Sequence, residues 1–154
     1  IDPPRSGAQT VSCGGKILTF AGYAEEVVDD AVERDVVNDL WEFVPYQKDT
    51  ASWGWKQVIA AGEDNTPGPR LAFAMAAMPS ASNAFVIGGW DPMVPGTGGK
   101  ILDDVSMFDV QTMQWSQPKS TDDSSSTTVP GGPTSRHVAV ALSEDVICVH
   151  NHRC

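Results

Sequence analysis

A set of landmarks recurs along this chain at a near-constant interval, and a recurring unit restricts the available folds more than composition does. Pro69-Arg70 leads into an alternating segment, Leu71 to Ala76, and then an apolar run, Ala84-Phe85-Val86-Ile87, closed by Gly88-Gly89-Trp90. Asp103 to Asp109 and then Gln114-Trp115 follow. Alternation and punctuation predict four short strands joined by turns. An earlier copy starts at Pro4-Arg5, passes through Leu18 to Tyr23 and Asn38 to Phe43, and ends at Trp53-Gly54-Trp55. A later copy starts at Ser135-Arg136-His137 and reaches Val146 to Val149. Arg5 and Arg70 lie 65 residues apart, and Arg70 and Arg136 lie 66 apart. Asp39 to Asp104 and Phe43 to Phe108 are 65 each, Gly22 to Gly89 is 67, and Trp55 to Trp115 is 60. The unit is written out nearly three times.

In this order the landmarks resemble the kelch repeat. Its Pro-Arg before the first strand is Pro69-Arg70, its glycine pair after the second is Gly88-Gly89, and its third strand is Asn38-Asp39-Leu40-Trp41-Glu42-Phe43. Its fourth-strand tryptophan is Trp55 or Trp115. The first copy carries Ala21-Gly22 for the glycine pair, and the third carries His150-Asn151. The interval also exceeds the roughly 50 residues of a kelch unit, with the excess in loops. The resemblance implies an all-β, kelch-type β-propeller of four-stranded antiparallel blades. The first blade is assigned to residues 1–59 with an acidic insertion at 24–36, the second to 60–118, a mobile Ser/Thr/Gly/Pro linker to 119–134, and half of a third blade to 135–154. Propellers close with typically 4–8 blades, and two and a half leave unpaired edges and half-covered apolar faces. A partial propeller is therefore expected, belonging to a larger chain or assembly.

Charge narrows the partners. The net charge is −10, from 20 acidic and 10 basic side chains. Neutralising phosphates takes Lys and Arg, so nucleic acid and anionic membrane are poor partners. No apolar run approaches the ~20 residues that cross a bilayer. Three cysteines, at 13, 148 and 154, suggest no disulfide framework and leave the compartment undecided.

Within the repeat, Arg5, Arg70 and Arg136 read as architecture, with guanidinium donors satisfying carbonyls between strands. Gly22, Gly88 and Gly89 read as points of close backbone approach. Trp41, Trp55, Trp115 and Phe108 are expected to pack between blades, while Tyr23 and Trp90 are candidates for a central or loop-side pocket, with core packing as the other reading. In segment 24–36, Val28, Val32 and Val36 are spaced by four, which predicts a helical turn or two. Six carboxylates there face a single Arg34. That segment lacks the spacing of a calcium loop, so a solvated or partner-facing acidic surface is the expectation. The insertions 24–36 and 91–99 and the links 60–69 and 116–134 all fall on one face of the disc, and loops on a rigid scaffold carry function disproportionately. Glu25, Glu26, Asp29, Asp30, Glu33, Trp90 and Asp91 are the candidate partner-binding residues.

No catalytic motif stands out, and no cofactor or metal site is assigned. Cys148, His150, His152 and Cys154 alternate onto one face of a strand, but neighbours two apart are separated by about 6.6 Å and could serve one ion only in adjacent pairs. The resemblance implies a non-catalytic protein-interaction scaffold with a protein partner, basic or of mixed charge. The alternative is a metal-dependent enzyme whose site lies in the central channel or in blades absent from this chain.

Overall fold

A computed structural model describes residues 1, 3–47, 52–61, 65–96, 98–119 and 127–151. Eleven strands form in chain order among them: β1 (Arg5–Ser6), β2 (Gln9–Cys13), β3 (Lys16–Val28), β4 (Ala31–Gln47), β5 (Ser52–Val58), β6 (Ala74–Ala77), β7 (Asn83–Asp91), β8 (Lys100–Asp109), β9 (Gln114–Ser116), β10 (Val138–Ala141) and β11 (Ile147–His150). They make three antiparallel sheets. The first has the order β1-β3-β4-β5 with β2 also on β3, the second is β6-β7-β8-β9, and the third is the pair β10-β11. The first strand of blade one is thus split in two by Gly7, whose backbone is left-handed (φ 69°). In blade two the same break is at Ala72 (φ 52°), between the isolated Leu71–Trp90 bridge and β6.

The second strand of each blade carries a bulge at the glycine pair. Register shifts between Phe20 and Gly22, and again between Ile87 and Gly89. The first member of each pair is left-handed, Ala21 at 57° and Gly88 at 53°. A side chain at Gly88 would place its Cβ 2.7 Å from the Thr134 carbonyl oxygen, which belongs to the third unit. Glycine is obligatory there. At Ala21 the fold accepts a β-carbon, at a cost of roughly 1–2 kcal/mol for an L-residue in that region.

Blades stack face to face. Leu18, Phe20, Leu40 and Val58 of the first sheet pack on Phe73, Met75, Val86, Phe108 and Trp115 of the second to form the buried core. Phe20 meets Phe73 with ring centroids 5.8 Å apart and Trp115 at 5.1 Å, and Phe108 meets Trp115 at 5.0 Å. Trp115 and Phe108 therefore sit between blades, as expected. Trp41 and Trp55 are half-buried on the opposite face of blade one, where Trp55 pairs with Phe43 at 5.3 Å. No described strand covers that face.

The structure corrects three expectations. Segment 24–36 holds no helical turn; it is a β-hairpin that prolongs β3 and β4, with Val27 opposite Val32 and Val28 opposite Ala31. The four-residue spacing of valines is coincidental, because the chain reverses at Asp29 and Asp30, both left-handed at 50° and 64°. Two consecutive residues at positive φ make the type I′ turn that suits a hairpin's twist. Nor is the stretch 119–134 free throughout. Residues 120–126 lie outside the described set, but Thr128 bridges Asp104, the Val129 amide donates to the Asp103 carbonyl at 2.7 Å, and the Val129 side chain is buried.

The third correction concerns Arg136. Its side chain is exposed and its backbone is left-handed (φ 58°), which matches Gly7 and Ala72 rather than Arg5 and Arg70. The residue standing where Arg70 stands is Thr134. A spacing of 66 made Arg136 look periodic, but the backbone period into the third unit is 64, from Ala72 to Arg136.

Candidate interaction face

Arg70 shows what the repeated arginine does. Its guanidinium makes a two-point ion pair with Asp104, at 2.9 and 2.8 Å, while Nη1 also donates to the Gly88 carbonyl and Nε to the Gly68 carbonyl, both at 3.0 Å. It ties the start of the first strand, the bulge of the second and the third strand into one knot. Arg5 repeats the arrangement with Asp39 and the Ala21 carbonyl, and lies over the Trp41 ring at 5.6 Å. Trp41 donates its indole N–H to the same Asp39 at 2.6 Å. These groups are internal bracing, turned toward one another rather than toward a ligand.

The candidate partner-binding residues separate into two groups. Glu25, Glu26, Asp29, Asp30 and Glu33 are all exposed on the β3–β4 hairpin. Cross-strand pairing sorts them by face. Glu25 opposes Arg34 and pairs with it at 3.3 Å, on the face that also carries Val27 and Val32. On the other face Glu26 stands directly opposite Glu33. That face opens onto a cavity of about 560 Å³ lined by Glu26, Glu33 and Asp35, by Arg34, and by Ala24, Val37 and Pro3. Like charges placed opposite each other destabilise a sheet, so the ribbon spends stability on this arrangement.

Trp90 and Asp91 form the second group, on β7. Trp90 is half-buried and donates its indole N–H to the Gly98 carbonyl at 3.2 Å, while an Asp91 carboxylate oxygen accepts from the Met93 amide at 2.9 Å. Both shape their own loop. Trp90 also lines a cavity of about 230 Å³ with Ala72, Ile101, Ser135 and Arg136. Tyr23 occupies the matching place in blade one, beside Pro4, Arg5, Ser6 and Glu25. The exposed Arg136 stands at this cavity rather than in the bracing to which its spacing assigns it.

These repeated geometries match what is found elsewhere. The sequence matches the KLHDC2/KLHL20/DRC7 Kelch-repeats domain over residues 1–153. This chain belongs to the kelch-repeat family. Among solved structures, the kelch chain resembles that of YjhT, with a TM-score of 0.59 and 17% identity over 91% of this chain. It spans 43% of that protein's length. No individual curated protein matches the sequence.

Of the alternating Cys/His residues at the end of the kelch chain, Cys148 and His150 lie on β11, and His152 and Cys154 fall outside the described residues. Among the described residues no group of three or more His, Cys, Asp or Glu could hold a metal ion. No helix among the described residues is long and apolar enough to cross a membrane. Cys13 is buried at the edge of the core, and burial, with Asp109 nearby, pushes its thiol above the ordinary range. Cys148 is exposed. Maleimide labelling read at the peptide level is therefore expected to modify Cys148 in the folded chain and Cys13 only after urea is added, because the thiolate is the reacting species.

Proposed function

We propose that this chain is a non-catalytic protein-interaction scaffold whose acidic hairpin captures a basic partner. Kelch propellers are widely used for protein–protein interaction. The observation that carries the more specific reading is Glu26 opposite Glu33 on a ribbon whose residues 25–35 hold six carboxylates against one arginine. A Lys or Arg side chain from a partner entering between the two glutamates relieves their repulsion, so binding gains what folding gave up. Complementary charge of this kind steers encounter and confers salt dependence. The hairpin extends beyond the body of the sheet, within reach of an extended peptide.

The test is capture of Lys/Arg-rich peptides by the chain and by a variant with Glu25, Glu26, Asp29 and Asp30 neutralised. Capture is expected to weaken by about tenfold, or about 1.4 kcal/mol, with a shallower salt dependence. Unchanged capture removes the charge-driven reading. Glu33→Gln distinguishes this from misfolding. It is expected to weaken capture while raising stability by a few tenths of a kcal/mol, by removing a like-charge cross-strand pair.

A further inference from the structure

We propose that the seam between the second sheet and the β10–β11 pair is an acid-sensitive latch, held shut by the neutral ring of His137 and loosened when that ring takes up a proton. The repeat supplies the comparison. His137 lies one residue past the left-handed Arg136, as Phe73 lies one past Ala72. Phe73 fills the first seam with an apolar ring set edge-on to Phe20. In the second seam the equivalent position carries a ring that can be charged.

The surroundings make little provision for that charge: among the described residues only the Ile87 backbone favours it, and burial outweighs that contribution. His137 is 5% exposed, and neither ring nitrogen has a hydrogen-bond partner among the described residues. The backbone of Ile87 comes close without meeting hydrogen-bond geometry. Thr134, 3% exposed, lies beside the same point, and its hydroxyl is also unpartnered. Among the described residues no carboxylate is placed to receive an imidazolium. Strand β6 offers only Ala74 to Ala77, Met75 among them, and β10 is wholly apolar. On β7 the neighbour is Gly88, whose carbonyl is taken by Arg70, and Arg70 is in turn neutralised by Asp104 of β8. Arg136 is a further positive charge next in chain, and His150 on β11 falls on the exposed face.

The rest of the seam is thin. Where the first seam has Phe20, Phe73, Phe108 and Trp115, this one sets Ala139 and Ala141 against the alanines of β6. Three backbone bonds cross it, Gly89 amide to Thr134 carbonyl at 2.8 Å, Thr134 amide to Leu102 carbonyl at 3.0 Å and Arg136 amide to Ala72 carbonyl at 2.7 Å. At its exposed end the Glu144 carboxylate accepts from the Ser80 amide at 3.0 Å and hydroxyl at 2.6 Å. Burial lowers the affinity of His137 for a proton below its ordinary value. A depressed base leaves docking intact above the undocked value near 6.5. Docking is lost progressively as pH falls from there through the docked value, and the loss levels off below it.

Hydrogen exchange of the 154-residue chain between pH 7.5 and 5, corrected for intrinsic rates, reads this directly. Protection at β10 and β11 is expected to fall by up to about tenfold per pH unit below about 6.5, while β3 and β7 hold theirs. His137→Phe, which installs the residue blade two uses, is expected to abolish the pH dependence, and His150→Gln to preserve it. The same fall in His137→Phe, or a flat profile in the unaltered chain, overturns the proposal. Should the phenylalanine variant not fold, NMR titration of the unaltered chain decides. A His137 resonance titrating at the ordinary value overturns the latch, and a depressed one that tracks loss of β10 protection supports it.

Discussion

Arg70→Ala is expected to destabilise the chain by about 3 kcal/mol, the low end of what breaking a buried ion pair costs. The Arg70 side chain is 2% exposed and that of Asp104 is 32%, so the carboxylate left behind recovers some hydration, whereas the knot of four hydrogen bonds is lost outright. The buried Gly88 carbonyl loses its donor as well, and an unsatisfied buried acceptor costs about 1–3 kcal/mol before relaxation, whereas Gly68 is exposed and water can replace its donor. Arg70→Lys keeps the charge but cannot span a carboxylate and two carbonyls from one planar fork, so it is expected to recover less than half of the loss. The decisive comparison is Arg136→Ala. All three arginines look alike in the sequence, yet Arg136 is exposed, and its removal is expected to fall within about 0.5 kcal/mol of no effect. Urea unfolding followed by tryptophan fluorescence measures all three. Equal costs for Arg70→Ala and Arg136→Ala would falsify the register in which Thr134, not Arg136, stands at the bracing position of the third unit.

That contrast also shows which parts of the molecule were legible from residues alone. The interval of 65 between Asp39 and Asp104 located the braced strands, because both ends of each arginine–aspartate pair recur together, with Arg5–Asp39 and Arg70–Asp104 each separated by 34. For Arg136 the matching position, 34 residues on, falls beyond residue 154. A landmark without its partner is only a letter. The hairpin at 24–36 was hidden for a different reason. Its turn uses Asp29-Asp30 at positive φ where Gly or Asn is usual, so nothing in the sequence announces a reversal. The acidic surface was visible as composition, but the opposition of Glu26 and Glu33 depends on that unannounced turn. Val129 likewise carries no signal, being one apolar residue amid Ser, Thr, Gly and Pro whose burial depends on β8 lying alongside.

Phe20→Ala is expected to cost about 4 kcal/mol, within the range for removing a buried aromatic ring from a packed core. Phe20 is fully buried and touches both Phe73 and Trp115, so its loss empties the centre of the seam between the first two blades. A double-mutant cycle with Trp115→Ala is expected to return a coupling of about 0.5–1.5 kcal/mol, the worth of an aromatic pair beyond its area. Trp55→Ala breaks a pair of similar geometry, with Phe43 at 5.3 Å, yet is expected to cost no more than about 1.5 kcal/mol in this chain, because Trp55 is half exposed and leaves no closed cavity. Phe43, Trp55 and Ile17 lie on the outer face of blade one, while Val138, Val140 and Leu142, with exposures of 63%, 55% and 66%, remain open at the far end of the chain. These are an aromatic face and an aliphatic one, the same two chemistries that meet in the closed seam. The ratio of the Trp55 to the Phe20 penalty therefore reports whether another blade is seated. It stays near one third in this chain alone and rises toward one in any longer polypeptide or assembly that completes the propeller. A ratio near one in the 154-residue chain would mean that copies of the chain already cover each other's open faces.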